Sequence, residues 1–199
     1  LGVTAETGPG LEAGWLALMD VLDEHFQWHP YLLGGRPCRA DFGMIAPLFA
    51  HLGRDPVPAG LMKARAPNLF RWTERMNMAT LSDGEYPGYS EDFAPDDSIP
   101  ETLEAVMRVM FDDWRDGVAA DAACFNAWAA DKAAGTLGSR TGKRQVHPNV
   151  GKVSYPYNGV TMIRGSQPHM LWMLARAQAA AGSASGEDAA RLSALMART

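Results

Sequence analysis

Apolar residues in the N-terminal half of the chain recur at intervals of three and four positions. This spacing places one face of a helix in a protein core. The first run begins at residue 11 and extends to about Trp28, where Pro30 stops it. Its inward positions are Leu11, Trp15, Leu18, Leu22 and Phe26. A second run predicts a helix over 67–78. Its inward positions are Leu69, Trp72 and Met76.

The C-terminal half alternates between two periodicities. A helical pattern extends from residue 101 to about 134, with Gly117 permitting a bend. Two short β-prone runs, 153–157 and 160–164, then flank the dipeptide Asn158-Gly159, a strong hairpin signal. Helical patterns return over 167–181 and 187–198. The pattern predicts an all-α fold, a helical bundle with a small β-hairpin near residues 153–164.

A glycine turn and a helix start lie between the first two helical runs. Gly34 and Gly35 supply the backbone freedom for a tight turn. Cys38 falls at the N-cap position of the next helix, and Asp41 stands three residues later. This spacing lets each side chain satisfy an orphan backbone N–H of the first turn. We therefore assign Cys38 and Asp41 as a structural cap.

The helix after this cap has an apolar face interrupted by a proline. The face is predicted from Phe42, Ile45, Phe49 and Leu52. Phe42 is also placed to pack on Pro37 as a hydrophobic staple. Because the Pro47 ring meets the carbonyl of a glycine, Gly43, we expect a kink rather than a break. Residues 54–58 contain two prolines and are expected to form an extended connector.

These residues carry a resemblance to a known family. The stretch Pro30-Tyr-Leu-Leu-Gly-Gly-Arg-Pro-Cys-Arg-Ala-Asp-Phe42 resembles the central signature of the C-terminal helical domain of glutathione S-transferases. Residues 66–76 are similar to the next helix of that family. The match is best over 11–78, which makes residues 79–199 a family-specific extension of one domain, 1–199. The family usually has Ser or Thr where Cys38 stands.

The resemblance implies a role for a parent protein more than for this chain. The family binds glutathione and activates it chiefly in a thioredoxin-like N-terminal domain, of which this sequence shows no pattern. We therefore expect a helical, substrate-side domain of a glutathione-dependent transferase, with no catalytic residue and no cofactor of its own. The implied partners are a small apolar electrophile and a second copy in a homodimer. The alternative is a non-catalytic binding or scaffold protein with the same helical fold.

Composition and charge narrow the class of partner. The net charge of −5 and the pI of about 5.5 argue against a nucleic acid. Two cysteines cannot form a disulfide framework, which fits a reducing cytoplasm. Apolar runs are too short for a membrane span, so we expect no membrane partner. Because the first residue is Leu1, we expect a piece of a longer protein.

Large apolar side chains of the later helices suggest a ligand pocket. Residues of these types at helical spacing more often form core than pocket. The candidates for an apolar substrate pocket are Met107, Met110, Trp114, Trp172 and Met173. Both readings, pocket and core, stay open at this point.

Other reactive residues fit simpler roles. His25 and His29 have a spacing that binds metals, but a third ligand is lacking, and we predict no metal site. His51 stands where it would stabilise a helix C-terminus. The stretch 138–144 is one residue short of a phosphate loop and is rejected as a nucleotide site. The acidic stretch 79–98 is interpreted as a surface-packed insertion rather than a lid.

The cap makes a prediction on stability. Asp41→Ala should lower the free energy of unfolding by about 1 to 2 kcal/mol, the usual cost of losing a cap. Cys38→Ser should be neutral or stabilising, because a hydroxyl is the better acceptor. Chemical denaturation of both variants measures the two effects. An unchanged Asp41→Ala protein would show that no cap forms.

Overall fold

The computed structural model describes residues 2–78, 85–131 and 149–199. These residues divide into two compact units. The core unit is Trp15–Met110. The hairpin unit comprises Leu1–Gly14 and Phe111–Thr199.

Helices dominate the described residues, as the sequence pattern predicts. The helices are α1 (Gly8–Trp28), α2 (Arg39–Pro47), α3 (Pro56–Arg65), α4 (Pro67–Asn77), α5 (Glu101–Asp131), α6 (Pro168–Gly182) and α7 (Gly186–Arg198). The strands β1 (Gly151–Tyr157) and β2 (Val160–Ser166) form one antiparallel sheet. No helix within the described ranges is long and apolar enough to cross a membrane.

Residues of α1 and α4 form the centre of the core unit. Phe26 and Trp72 are fully buried, and their rings stack with centroids 4.8 Å apart. The three inward positions predicted for α4 are all buried. They are Leu69, Trp72 and Met76. α4 also receives a cap from α1, because Asp23 Oδ1 accepts the backbone N–H groups of Asn68 at 2.6 Å and Leu69 at 3.1 Å.

The predicted cap of α2 is present, and the Asp41 side chain makes more hydrogen bonds than the sequence indicates. Cys38 and Asp41 form a capping box, in which Asp41 Oδ2 accepts the Cys38 backbone N–H at 2.9 Å. The Asp41 side chain is completely buried. Its Oδ1 accepts two further hydrogen bonds, from the Leu32 backbone N–H at 3.2 Å and from the Trp72 indole N–H at 3.1 Å. One carboxylate therefore joins the turn, the start of α2 and α4.

The staple and part of the apolar face predicted for α2 are wrong. Phe42 is 60% exposed, so it does not close the core against Pro37. Asp41 points inward, and a helix turns about 100° per residue, so its neighbour Phe42 faces away from the core. Leu48, absent from the predicted face, is buried instead. Ile45 and Leu52 do pack against the core, as predicted.

Two proline predictions have different outcomes. α2 does not break at Pro47 but continues as a π-helical turn over Leu48–Leu52. The extended connector predicted for 54–58 is wrong, because α3 begins at Pro56. A proline at the first helical position lacks only an N–H that would be unpaired there, and its fixed φ suits the helix.

The predicted hairpin is confirmed. Two residues join the strands, and both have positive φ, 43° at Asn158 and 79° at Gly159, as a type I′ turn requires. The turn lies against the start of α1 in the hairpin unit, where Asn158 Nδ2 donates to the Gly10 carbonyl at 3.4 Å. A Cβ at Gly14 would stand 2.4 Å from the Tyr157 hydroxyl, so a larger residue there would force that side chain to shift.

Because Asp41 is buried, its substitution should lower the free energy of unfolding by more than the loss of an exposed cap would. Asp41→Ala leaves three buried donors without an acceptor, so we expect a loss of about 3 to 5 kcal/mol rather than the cost of a cap alone. Urea denaturation measures this loss. Asp55→Ala is the matched control, because Asp55 is the N-cap residue of α3 but is exposed and makes no side-chain cap hydrogen bond. Equal losses in the two variants would contradict the prediction.

Candidate functional site

Two histidines at the end of α1 form a stacked pair inside the core unit. The rings of His25 and His29 have centroids 4.9 Å apart and an interplanar angle of 27°. His25 is completely buried, whereas His29 is half-buried. His29 Nδ1 lies 2.6 Å from the hydroxyl of Tyr89 in the acidic stretch. The pair therefore connects the core to the segment that follows α4.

The partners of His25 fix its tautomer. Nε2 lies 3.3 Å from the Tyr31 carbonyl oxygen, which can only accept, so Nε2 carries the proton. Nδ1 then accepts a hydrogen bond from the Thr102 hydroxyl at 2.9 Å. Burial lowers the pKa of His25 to about 4, and the nearby His29 acts in the same direction. Both ring nitrogens are engaged, which leaves this residue a structural role at neutral pH.

A polar cleft beside this pair combines two arginines with one carboxylate. We call it the arginine cleft, and its volume is about 120 Å³. Its walls are Phe26, Gln27, Asn68, Arg71, Arg75, Glu85 and Tyr86. The Arg71 Nε donates to Glu85 Oε1 at 2.6 Å, and the Arg75 NH1 group pairs with Oε2 of the same carboxylate. Glu85 therefore bridges two cations that lie one turn apart on α4.

Arg75 is held from several sides. Its NH2 group donates to the Pro30 carbonyl at 2.8 Å. Its guanidinium carbon lies 5.8 Å from the Tyr31 ring centroid and 5.2 Å from that of Tyr86. The Tyr86 hydroxyl in turn donates to the Phe26 carbonyl. The side chain of Arg75 is only 9% exposed, so its position is set by packing as well as by charge.

The described part of the acidic stretch packs on the turn before α2. The Gly35 backbone N–H donates to the Asp92 carbonyl at 2.8 Å, and the Ala94 N–H donates to the Leu33 carbonyl at 2.8 Å. Gly34 has a φ of 120°, and a Cβ there would stand 2.6 Å from the Ala94 nitrogen. These contacts confirm a surface-packed segment over residues 85–98. Residues 79–84 lie outside the described ranges.

The five residues predicted for an apolar pocket are distributed over the two units. In the core unit, Met107 packs against the core and Met110 is 42% exposed. In the hairpin unit, Trp114 is 40%, Trp172 54% and Met173 48% exposed. The Trp172 ring contacts His169 and Arg176 on its own helix. The apolar pocket stays a prediction.

The hairpin unit contains two acid-centred contacts that sequence reasoning missed. Arg164 pairs with Asp121 at 2.7 Å, and this carboxylate is 1% exposed. Asp113 accepts the Tyr157 hydroxyl at 3.2 Å. Burial and the charge of Asp113 raise the pKa of Tyr157 to about 12, so this phenol stays protonated at neutral pH. Both contacts join α5 to the hairpin and hold the two elements together.

The remaining candidates are a metal cluster, the Cys38 thiol and the basic stretch 138–144. Within the described ranges, no group of three or more His, Cys, Asp or Glu side chains is placed to hold a metal ion. Burial and the neighbouring Asp41 raise the pKa of the Cys38 thiol, which keeps it from acting as a thiolate. The basic stretch 138–144 lies outside the described residues.

Comparisons with family models, curated proteins and solved structures found no match.

The arginine cleft was not among the sites predicted from the sequence. Its sequence signal is the i,i+4 pair of arginines on a helix face, which isolated helices disfavour. The partner Glu85 comes ten residues after Arg75, beyond the end of the helix, so helical periodicity could not connect them.

The depressed pKa of His25 predicts a loss of stability in acid. Its folded pKa of about 4 lies below the ordinary histidine value of 6.5, so the unfolded chain binds the proton more tightly. The stabilisation is complete above about pH 6.5 and is lost as the pH falls toward 4. We expect the free energy of unfolding to fall by about 2 kcal/mol between pH 7 and pH 5 on this account.

NMR titration of the His25 ring and denaturation at both pH values measure this effect. His51→Gln is the matched control, because it removes an exposed histidine from the same unit. A His25 ring that titrates near its usual pKa would contradict the prediction.

Proposed function

We propose that this chain is the helical, substrate-side domain of a protein of the glutathione S-transferase type. The observation that carries the proposal is the capping box of Cys38 and Asp41, which opens α2 directly after the Gly34 turn. The residues that make these contacts are those of the stretch that resembles the family's central signature. In this sequence, residues of the signature form a buried hydrogen-bond network. This physical role of the signature residues supports the proposal.

The role within a parent protein would be to supply one wall of a site. Conjugation needs a nearby hydrogen-bond donor that keeps the glutathione thiol as a thiolate. It also needs a binding site that positions the tripeptide. The raised pKa values of Cys38 and Tyr157 make neither side chain a base or a nucleophile at neutral pH. The parent would supply glutathione binding and activation, and this chain would supply apolar contacts for an electrophile.

A non-catalytic binding or scaffold protein is the second candidate. Large apolar side chains exposed on the core unit favour it, among them Trp28 and Phe42, each 60% exposed. Where such residues form a contiguous patch, they commonly mark a contact with another protein surface. A homodimer, which the family resemblance implies, would use such a surface in either case.

The deciding experiment compares this chain with a longer parent. We expect the chain alone to bind no glutathione in calorimetric titration and to show no turnover in a standard conjugation assay. A parent with an added thioredoxin-like domain should do both if it is an enzyme. An inactive parent that still binds a protein partner would favour the scaffold. Turnover by the chain alone would overturn the assignment of a substrate-side domain.

A further inference from the structure

The arginine cleft places two positive charges where a helix alone would not tolerate them. Arg71 and Arg75 lie one turn apart on the same face of α4, and like charges at this spacing repel. The Arg75 side chain is 9% exposed, and a buried charge is stable only when it is paired. An anion beside these two side chains therefore stabilises α4.

The chain supplies that anion from outside the helix. Glu85 Oε1 accepts from Arg71 at 2.6 Å, and its Oε2 pairs with Arg75. The two partners differ in burial, since the Glu85 side chain is 32% exposed and that of Arg75 only 9%. Arg75 is thus fixed by the core, whereas solvent reaches Glu85 and also Arg71, whose side chain is 59% exposed.

Space and charge next to this carboxylate suit a free ligand. The cleft has a volume of about 120 Å³, and Gln27, Asn68 and Tyr86 line it beside the charged groups. The described lining residues include two arginines and one glutamate. Planar guanidinium groups match the geometry of a carboxylate, which they bind through paired N–H groups.

We propose that the arginine cleft is a binding site for a small organic carboxylate, and that the Glu85 carboxylate occupies this site as an internal competitor. The ligand carboxylate takes the contacts of Glu85 with Arg71 and Arg75, and Gln27 and Asn68 line the space beside it. The inference rests on the cleft alone and does not depend on the glutathione S-transferase assignment.

Chemical rescue tests whether the site accepts a free carboxylate. Glu85→Ala removes a carboxylate that acetate nearly reproduces. The variant should have a lower melting temperature than the unaltered protein. Added acetate should raise that melting temperature saturably. Sodium chloride at matched ionic strength controls for general salt effects. Glu91→Ala is the matched variant, because Glu91 is an exposed acid of the same segment and should show no acetate response beyond that of chloride.

Binding to the unaltered protein tests the proposal itself. Acetate and succinate titrations followed by NMR should shift the amide signals of Arg71 and Tyr86 saturably. The affinity should be at least about tenfold weaker than in Glu85→Ala, because the ligand competes with a charge-assisted hydrogen bond. Arg71→Ala should abolish the shifts, whereas Arg39→Ala, at an exposed arginine of α2, should not. If Glu85→Ala fails to fold, Glu85→Gln keeps the side-chain size without the charge, and it should bind acetate more tightly than the unaltered protein does.

Three results would overturn the proposal. Equal acetate responses of Glu85→Ala and Glu91→Ala would show a general effect of the ion. Rescue without saturable binding to the unaltered protein would show that the site serves Glu85 alone. Binding of inorganic phosphate in preference to both carboxylates would exclude the proposed ligand class. None of these results bears on conjugation by a parent protein, so the two proposals fail separately.

Discussion

The core unit depends on one buried carboxylate. Asp41 is fully buried and accepts hydrogen bonds from Leu32, Cys38 and Trp72, which belong to the turn after α1, the cap of α2 and the middle of α4. A charge inside a protein is stable only when such donors surround it. Because the three donors come from three segments, the requirement fixes all three at once. The exposed Phe42 is a consequence, since Asp41 takes the inward direction at the start of α2.

Helix α4 is positioned by three carboxylates along its length. Asp23 caps its first turn, Asp41 accepts from Trp72 in its middle, and Glu85 bridges the arginines of its second half. The first contact suits the positive end of the helix dipole, and the last offsets the repulsion of two like charges. The stacking of Phe26 on Trp72 adds the apolar contact between α4 and α1.

The sequence predicts those features that depend on neighbouring residues. The hairpin turn follows from Asn158-Gly159, and the inward face of α4 follows from its period. The sequence does not predict the Trp72–Asp41 bond or the Tyr89–His29 bond, which join residues 31 and 60 positions apart. The helix α3 was missed because its two prolines were interpreted as a connector, although proline suits a first helical turn. The arginine cleft was missed because an acid beyond the helix completes it.

Burial separates the two uses of a carboxylate in this protein. The Asp41 carboxylate has no contact with solvent, so no ligand can replace it without unfolding the turn around it. Glu85 makes contacts of the same chemical kind, but its side chain is 32% exposed and borders an open cleft. A ligand that displaces an internal carboxylate must first approach it, while the carboxylate still contacts its arginine partners. Exposure of Glu85, combined with burial of Arg75, is therefore the feature in which the proposed binding site differs from the buried contacts of Asp41.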